Sequence, residues 1–282
     1  MTRTTGLALI LLLALAGLAR AGEPLRIGSK RFTESYILAE VLAQAARAAP
    51  GQPAVEVKAG LGNTAIVFEA LRAGSIDVYP EYTGTIALEI LKQPGPMTLV
   101  AMREALAPLG LGVDVPLGFN DGYALAVRAD TAERLGLRRL SDLARQPALR
   151  LGLSNEFIGR ADGWPGLAAR YRLPQRPTGL DHGLAYEAIA AGQVDVIDIY
   201  TTDAKIAHLG LRVLIDDAAH FPRYDAVLLY RLDVPRRFPA PWAALERQQG
   251  RIDEAEMIAM NAQAELQGRP FDVIAREHLA RA

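Results

Sequence analysis

Two stretches of this chain match each other: Glu69-Ala-Leu-Arg-Ala-Gly-Ser-Ile-Asp-Val-Tyr-Pro-Glu-Tyr82-Thr-Gly-Thr85 and Glu187-Ala-Ile-Ala-Ala-Gly-Gln-Val-Asp-Val-Ile-Asp-Ile-Tyr200-Thr-Thr-Asp203. Each copy is typical of a helix that ends at a glycine and is followed by a short strand and a loop with a tyrosine. A unit that is built twice predicts two similar lobes. We therefore expect Tyr82 and Tyr200, which hold matching positions, to face each other across a cleft.

Strand and helix patterns alternate around both copies. Before the first copy, Leu25-Arg-Ile-Gly-Ser and Val55-Glu-Val-Lys are typical of strands, and Gly60-Leu-Gly-Asn-Thr opens a helix. A second run begins at Leu151-Gly-Leu-Ser and continues through the second copy. This β-α-β-α-β order predicts an α/β fold with two mostly parallel, doubly wound sheets.

Two further segments resemble each other and suggest how the lobes are joined. Both have the pattern of an apolar strand that begins with tyrosine: Tyr123-Ala-Leu-Ala-Val-Arg-Ala-Asp130 and Tyr224-Asp-Ala-Val-Leu-Leu-Tyr-Arg-Leu-Asp233. We expect them to be two hinge strands of a clamshell. The predicted division is a signal peptide at 1–21, a first lobe at 22–122 plus 225–282, and a second lobe at 123–224. The helical tail from Pro241 should pack on the first lobe.

The N-terminal segment has the pattern of a secretory signal peptide. Arg3 precedes an apolar run from Leu7 to Leu18, and Ala19-Arg-Ala21 supplies a small-residue cleavage site. The alternative is a membrane anchor, but the run is shorter than the roughly 20 residues that span a bilayer. The chain has no cysteine and therefore no residue for a lipid anchor, a disulfide or a thiolate nucleophile. We expect a protein of the periplasm, exported by a cleaved signal peptide and without a lipid anchor.

The composition narrows the range of partners. The chain has 31 basic and 32 acidic residues, for a net charge of −1, which argues against a nucleic-acid partner. Four histidines (His182, His208, His220 and His278) show no metal-ligand spacing, and we interpret them as surface or turn residues. No catalytic constellation stands out. We expect a monomer without cofactor, metal or enzymatic activity.

Taken in order, the chain resembles the substrate-binding proteins of ABC importers for glycine betaine, choline and related osmoprotectants. The similar stretches run over nearly the whole chain beyond residue 22. They are Ile27-Gly-Ser-Lys30-Arg-Phe-Thr-Glu, Gly60-Leu-Gly-Asn-Thr, Glu69-Ala-Leu, Asp77-Val-Tyr-Pro-Glu-Tyr82-Thr-Gly-Thr85, Gly118-Phe-Asn-Asp121-Gly-Tyr123-Ala-Leu, Glu156-Phe-Ile-Gly-Arg160-Ala-Asp-Gly, Asp198-Ile-Tyr200-Thr-Thr-Asp and Asp217-Ala-Ala-His-Phe-Pro-Arg-Tyr224.

The resemblance implies a type II periplasmic-binding-protein fold and a ligand site made of two parts. The positions that match the family's aromatic cage are Tyr82, Tyr123, Tyr200 and Tyr224. Those that match its carboxylate clamp are Lys30, Thr85 and Arg160, and Asp121 matches an acidic residue near the cationic headgroup. Gly122 and the Thr-Thr-Asp-Ala run after Tyr200 depart from the family pattern and bear on ligand preference.

These residue types suit a quaternary ammonium zwitterion. Such a cation donates no conventional hydrogen bond, whereas tyrosine faces offer it both negative potential and apolar surface. An arginine fork, a lysine and a threonine hydroxyl suit a carboxylate. Because Lys30 and Thr85 precede the first hinge strand and Arg160 follows it, only closure of the clamshell would bring all three onto one ligand.

The sequence thus predicts a receptor that delivers glycine betaine, or else proline betaine, carnitine or choline, to an ABC permease in the inner membrane. Three of these residues also have structural interpretations without a role in ligand binding: Lys30 as a solvated charge, Thr85 as a helix cap and Asp121 as a turn residue. An alternative is the same scaffold binding another small zwitterion or an amino acid unrelated to osmotic stress. A remote alternative is an exported hydrolase.

Overall fold

The computed structural model describes residues 23–93 and 95–281, so the predicted signal peptide lies outside the described residues. Within these residues, ten strands form two sheets of five. The strands are β1 Leu25–Gly28, β2 Val55–Lys58, β3 Val78–Tyr82, β4 Leu111–Asp114, β5 Tyr123–Arg128, β6 Leu151–Ser154, β7 Thr178–Leu180, β8 Val196–Tyr200, β9 Leu211–Val213 and β10 Ala226–Arg231. Their order is β2-β1-β3-β10-β4 in the first sheet and β7-β6-β8-β5-β9 in the second.

The two sheets have the same pattern of directions. In the first, β1 is parallel to β2 and β3, while β10 is antiparallel to β3 and β4. In the second, β6 is parallel to β7 and β8, while β5 is antiparallel to β8 and β9. The α/β fold is as predicted, and four of the five strands in each sheet run in one direction, so the sheets are mostly parallel, with one antiparallel strand that was not predicted. The antiparallel strand in each sheet arrives from the other lobe, so it is not part of a βαβ unit, which requires parallel strands.

The crossovers lie just before the two segments that we predicted as hinge strands. The strands themselves belong wholly to one sheet each, β5 to the second and β10 to the first. The chain passes between the sheets where Asn120 and Asp225 form an antiparallel bridge. The division into lobes at 22–122 plus 225–282 and at 123–224 stays a prediction.

Helices cover both sheets. They are α1 Thr33–Arg47, α2 Thr64–Arg72, α3 Thr83–Thr85 (continued by a π-helical turn, Ile86–Ile90), α4 Leu99–Leu106, α5 Ala129–Leu135, α6 Asn155–Gly159, α7 Trp164–Tyr171, α8 His182–Ala190, α9 Lys205–His208, α10 Val234–Arg237, α11 Pro239–Glu246, α12 Glu254–Glu265 and α13 Phe271–Arg281. Short 3₁₀ turns occupy Ala107–Leu109 and Leu140–Arg145. As expected, the C-terminal helices α11, α12 and α13 all pack on α1. Within the described ranges, no helix is both long enough and apolar enough to cross a bilayer.

The repeated units end differently from the prediction. Tyr82 and Tyr200 are the last residues of β3 and β8, whereas the sequence suggested loop positions. Pairing explains the difference, because Tyr82 lies opposite Ala226 and Tyr200 lies opposite Tyr123 in the ladders with β10 and β5. The ladder thus extends to each tyrosine and fixes its backbone at the edge of the cleft.

Candidate ligand-binding site

A cavity of about 340 Å³ lies between the lobes. Its wall includes residues of both sheets and of the first turns of α2 and α8. Seven of the eight predicted site residues line it: Lys30, Tyr82, Thr85, Asp121, Tyr123, Tyr200 and Tyr224. The eighth, Arg160, is buried beside the wall and reaches Thr85. The structure therefore brings all eight to one place.

Three of the four tyrosines form a connected group of rings with Tyr123 at its centre, and Tyr82 joins this group through Phe32. The centroid of Tyr123 is 5.2 Å from that of Tyr200 and 5.5 Å from that of Tyr224, with interplanar angles of 63° and 83°. Such edge-to-face pairs are a favourable aromatic geometry. Phe32, which the sequence analysis did not single out, lies 5.1 Å from Tyr200 and 6.4 Å from Tyr82. Its ring thus links Tyr82 of the first lobe to Tyr200 of the second. In the sequence, the only sign of this residue was its place in a stretch that resembles the family.

Buried partners hold the tyrosine hydroxyls. The Tyr82 hydroxyl donates to Glu34, and the Tyr224 hydroxyl donates to Asp162 Oδ2 at 2.7 Å. Burial raises the pKa of Tyr82, Tyr123, Tyr200 and Tyr224 above its usual range, so all four remain neutral phenols. The four tyrosines thus present neutral rings and no phenolate to the cavity.

Both cations of the predicted clamp, Lys30 and Arg160, have carboxylate partners within the protein. Lys30 Nζ lies 2.5 Å from Glu81 Oε1 and 5.4 Å from the centroid of the Tyr82 ring. Arg160 donates to both oxygens of Asp162, at 2.9 and 2.5 Å. Its Nη1 donates to Thr85 Oγ1 at 3.2 Å. A bidentate partner fixes the plane of the guanidinium, so Asp162 orients Arg160 toward Thr85.

Contacts between the lobes occur at the mouth of the cavity as well as within it. The Arg160–Thr85 hydrogen bond joins the second lobe to the first. At the exposed rim, Arg31 Nη2 lies 3.2 Å from Asp181 Oδ2. The structure is therefore a closed form, in which lobe-to-lobe contacts surround the cavity.

Asp121 lines the cavity but is also tied to the second lobe. Its carboxylate accepts from Thr202 Oγ1 at 2.9 Å, and the same hydroxyl lies 2.6 Å from Glu34 Oε2. Burial raises the pKa of Asp121 well above its usual range, and the Glu34 charge adds to this shift. Sequence reasoning missed both Glu34 and Thr202, although each lies in a stretch that carries the family resemblance.

Two histidines contradict their interpretation as surface or turn residues. His278 is buried on α13, with Nδ1 2.8 Å from Glu256 Oε1. His182 is the first residue of α8, lines the cavity and stacks on Tyr200 with centroids 4.1 Å apart. Its Nε2 lies 2.9 Å from Asp203 Oδ2. Burial by itself would lower the pKa of His182, but Asp203 outweighs it and raises that pKa to about 9. The back of one cage wall is therefore an imidazolium–carboxylate pair. Among the described residues, no cluster suited to a metal ion occurs.

Comparison with known proteins gives this geometry a family context. A model described as the substrate binding domain of ABC-type glycine betaine transport systems (OpuAC) matches residues 23–281. A glycine-betaine-binding protein of Pseudomonas aeruginosa is 33% identical, over 95% of this chain and 92% of that protein. A crystal structure of a glycine betaine/carnitine/choline ABC transporter protein has 27% identity and a TM-score of 0.72, and covers 91% of this chain and 98% of the other.

One relative is a longer protein. The ergothioneine transport permease/ergothioneine binding protein EgtU of Helicobacter pylori is 30% identical over 92% of this chain, which spans 48% of its length. The family model and the crystal structure match almost all of the described residues, and they agree with a type II periplasmic-binding-protein fold. The chain belongs to the family of substrate-binding domains of ABC-type glycine betaine transport systems.

Proposed function

We propose that this protein captures a quaternary ammonium zwitterion, with glycine betaine as the leading candidate, and delivers it to an ABC permease in the inner membrane. The observation that carries the proposal is the tyrosine cage closed by both lobes beside a lysine, an arginine and a threonine. The cage suits the ammonium group, and the clamp suits a carboxylate. The chemistry is binding, without turnover.

The strength of a cation–π contact explains why the clamp is needed. Each ring contributes about 0.5–2 kcal/mol, so four rings contribute about 2–8 kcal/mol. Micromolar affinity corresponds to about 8.2 kcal/mol, before the entropy lost on binding is counted. The cage by itself is therefore marginal. Contacts from Thr85, Arg160 and Lys30 to the ligand carboxylate supply the remainder.

A longer betaine is the second candidate. The cavity reaches beyond the cage to Asn155, Asp181 and His182, which offer polar groups to a ligand with a further functional group. The Helicobacter pylori relative is named for ergothioneine, which is itself a trimethylammonium betaine. Both candidates use the same cage, and they differ in whether the ligand occupies the region beside α8.

Calorimetry with glycine betaine, proline betaine, carnitine, choline and ergothioneine tests the proposal. We expect a betaine to bind more tightly than choline, which lacks the carboxylate. Binding of none of the five by folded protein would refute the proposed function. A preference for choline over every betaine would contradict the proposal that Lys30, Thr85 and Arg160 bind a ligand carboxylate.

Two variants test the site. Tyr200→Ala and Arg160→Ala should each weaken binding at least tenfold while the protein stays folded. Tyr36→Ala is the matched control, because Tyr36 stacks on Phe271 at 5.0 Å and lies outside the cavity wall. Unchanged affinity in both site variants would show that the ligand binds elsewhere.

We propose the periplasm as the site of action, with cleavage near Gly22 and a monomeric mature protein without a lipid anchor. The pattern at residues 1–21 and the absence of cysteine from the sequence support this location. Fractionation of expressing cells, with N-terminal sequencing and size-exclusion chromatography of the released protein, tests each of these points.

A further inference from the structure

Five buried polar side chains meet beside the cage. Glu34 lies in the first turn of α1, Tyr82 ends β3, Asp121 lies in the first crossover, Thr202 follows β8 and Asn261 lies on α12. Glu34, Asp121 and Thr202 are only 2%, 5% and 1% exposed. The group thus joins the first lobe, a crossover and the second lobe, with little of these side chains exposed.

Hydrogen-bond geometry fixes the number of protons in this cluster. Thr202 Oγ1 is 2.6 Å from Glu34 Oε2 and 2.9 Å from Asp121 Oδ1, yet a hydroxyl carries one hydrogen. Tyr82 already donates to the other oxygen of Glu34. If both carboxylates were ionised, the single hydroxyl hydrogen of Thr202 could bond only one of them. The hydroxyl oxygen would then face an oxygen of the other carboxylate with no hydrogen between them, which is repulsive. A proton on either carboxylate removes the conflict. Asp121 Oδ1 also accepts from the Thr202 backbone N–H at 3.3 Å, which suits an ionised Asp121. With the proton on Glu34 Oε2, Glu34 donates to Thr202 and Thr202 donates to Asp121.

Asn261 adds to the same chain of contacts. Its Nδ2 donates to the Thr202 carbonyl at 3.0 Å and lies 3.4 Å from Glu34 Oε2. The C-terminal helix α12 therefore fixes both the glutamate and the threonine that it meets across the cleft. Glu34 in turn fixes the hydroxyl of Tyr82, which is a wall of the cage.

We propose that Glu34 is a positioning residue for the cage and takes up a proton when the lobes close, so that ligand retention depends on pH. The inference rests on the proposed function for its ligand. When the lobes part, Thr202 leaves with the second lobe and water reaches Glu34. The glutamate then ionises, and closure has to protonate it again.

The surroundings of Glu34 support this direction. The pKa of Glu34 is raised from 4.5 to about 7, mainly by burial, with a smaller contribution from the Asp203 charge, although hydrogen bonds from Thr202, Tyr82 and Asn261 act in the opposite direction. The N-terminus of α1 also favours the ionised form, so burial outweighs it.

The other charged groups near the cluster are paired or acidic. The nearest cations have partners of their own, Lys30 with Glu81 and His182 with Asp203. Glu265, one turn along α12 from Asn261, is acidic, and burial raises its pKa. No unpaired cation among these named groups offsets the charge of Glu34.

The pH window follows from these values. Below about pH 4.5 Glu34 is protonated in both open and closed forms, and above about pH 7 it is ionised in both. Between these limits closure takes up a proton, so affinity falls by up to about tenfold for each unit of rising pH. Ligand should thus be held more tightly in mildly acidic surroundings.

Calorimetry of glycine betaine binding at pH 6, in two buffers of different ionisation enthalpy, measures the proton directly. Wild type should take up close to one proton per ligand, and Glu34→Gln none. The glutamine side chain keeps an N–H where the protonated glutamic acid has an O–H. The affinity of Glu34→Gln for glycine betaine should therefore change little with pH and should exceed that of wild type at pH 8. Glu40→Gln, on the same helix but outside the cluster, should behave as wild type. Wild type that takes up no proton, or a Glu34→Gln variant with the wild-type pH profile, would overturn the proposal.

A second measurement separates this inference from the identity of the ligand. Carbon-13 NMR follows the Glu34 carboxyl signal, assigned by its loss in Glu34→Gln, in the free protein and with whichever of the five compounds binds. Without ligand the signal should titrate near its ordinary pKa of 4.5, and with saturating ligand near pH 7, whether or not that ligand is glycine betaine. The same titration in both states would overturn the proposal even if glycine betaine binds tightly.

Discussion

At the scale of single residues, the site depends on side chains that hold other side chains. Asp162 holds Arg160 through two hydrogen bonds and also accepts from Tyr224. One carboxylate thus connects the clamp to the cage. The sequence marked Arg160 and Tyr224 through family resemblance, but it carried no sign that Asp162 joins them.

Replacement of Arg160 by lysine tests whether binding needs the planar guanidinium group, which donates to both oxygens of Asp162. We expect Arg160→Lys to weaken glycine betaine binding by about tenfold or more, because an ammonium group cannot engage both oxygens of Asp162 and still reach Thr85 in a fixed direction. Calorimetry measures the change. Arg170→Lys is the control, since Arg170 donates to the Ala218 carbonyl and is not part of the cavity wall. Equal affinities of Arg160→Lys and wild type would show that charge alone suffices.

At the scale of elements, the short helix α3 sets the position of a cage ring. A Cβ atom on Gly84 would lie 2.5 Å from Tyr224 Cδ1 and 2.8 Å from the Arg223 carbonyl oxygen. Only glycine lets β3 turn into α3 directly against this tyrosine. The repeat predicted the positions of Tyr82 and Tyr200, but a close approach between residues so far apart in sequence leaves no local pattern.

Gly84→Ala should therefore damage binding through Tyr224. We expect the dissociation constant for glycine betaine to rise at least tenfold, because the ring must move out of the cage, with a modest fall in Tm. Gly159→Ala, next to Arg160 but with open space around the added Cβ, should leave both quantities near wild type. Normal binding by Gly84→Ala would mean that the Tyr224 ring is not part of the ligand contact.

Sequence patterns predicted some features of the elements but not the direction of every strand. The repeat and the alternation of elements predicted the α/β class and the matching tyrosines. The antiparallel strands β5 and β10 were not predicted, because strand direction depends on which lobe the chain has come from. The roles of Glu34, Thr202 and His182 also depend on contacts across the cleft, which no single stretch contains.

At the scale of the whole molecule, a ligand that contacts both lobes stabilises the folded state. At a ligand concentration of 100 times the dissociation constant, the gain is about 2.7 kcal/mol. For a chain of this size that corresponds to a rise in Tm of roughly 5–10 °C. Thermal denaturation with and without glycine betaine measures it. At the same concentration, a Tyr200→Ala variant that binds tenfold more weakly should show about half the rise, and an equal rise would contradict the cage assignment.

The enclosure of the cage by both lobes has a consequence for time as well as for affinity. Tyr82, Tyr123 and Tyr224 are buried, and the rim is bridged by Arg31 and Asp181. A captured molecule leaves only when the lobes part, so its residence time is limited by the frequency of opening. Compounds of different chemistry should then share a similar upper limit on their rate of escape, and that limit belongs to the protein.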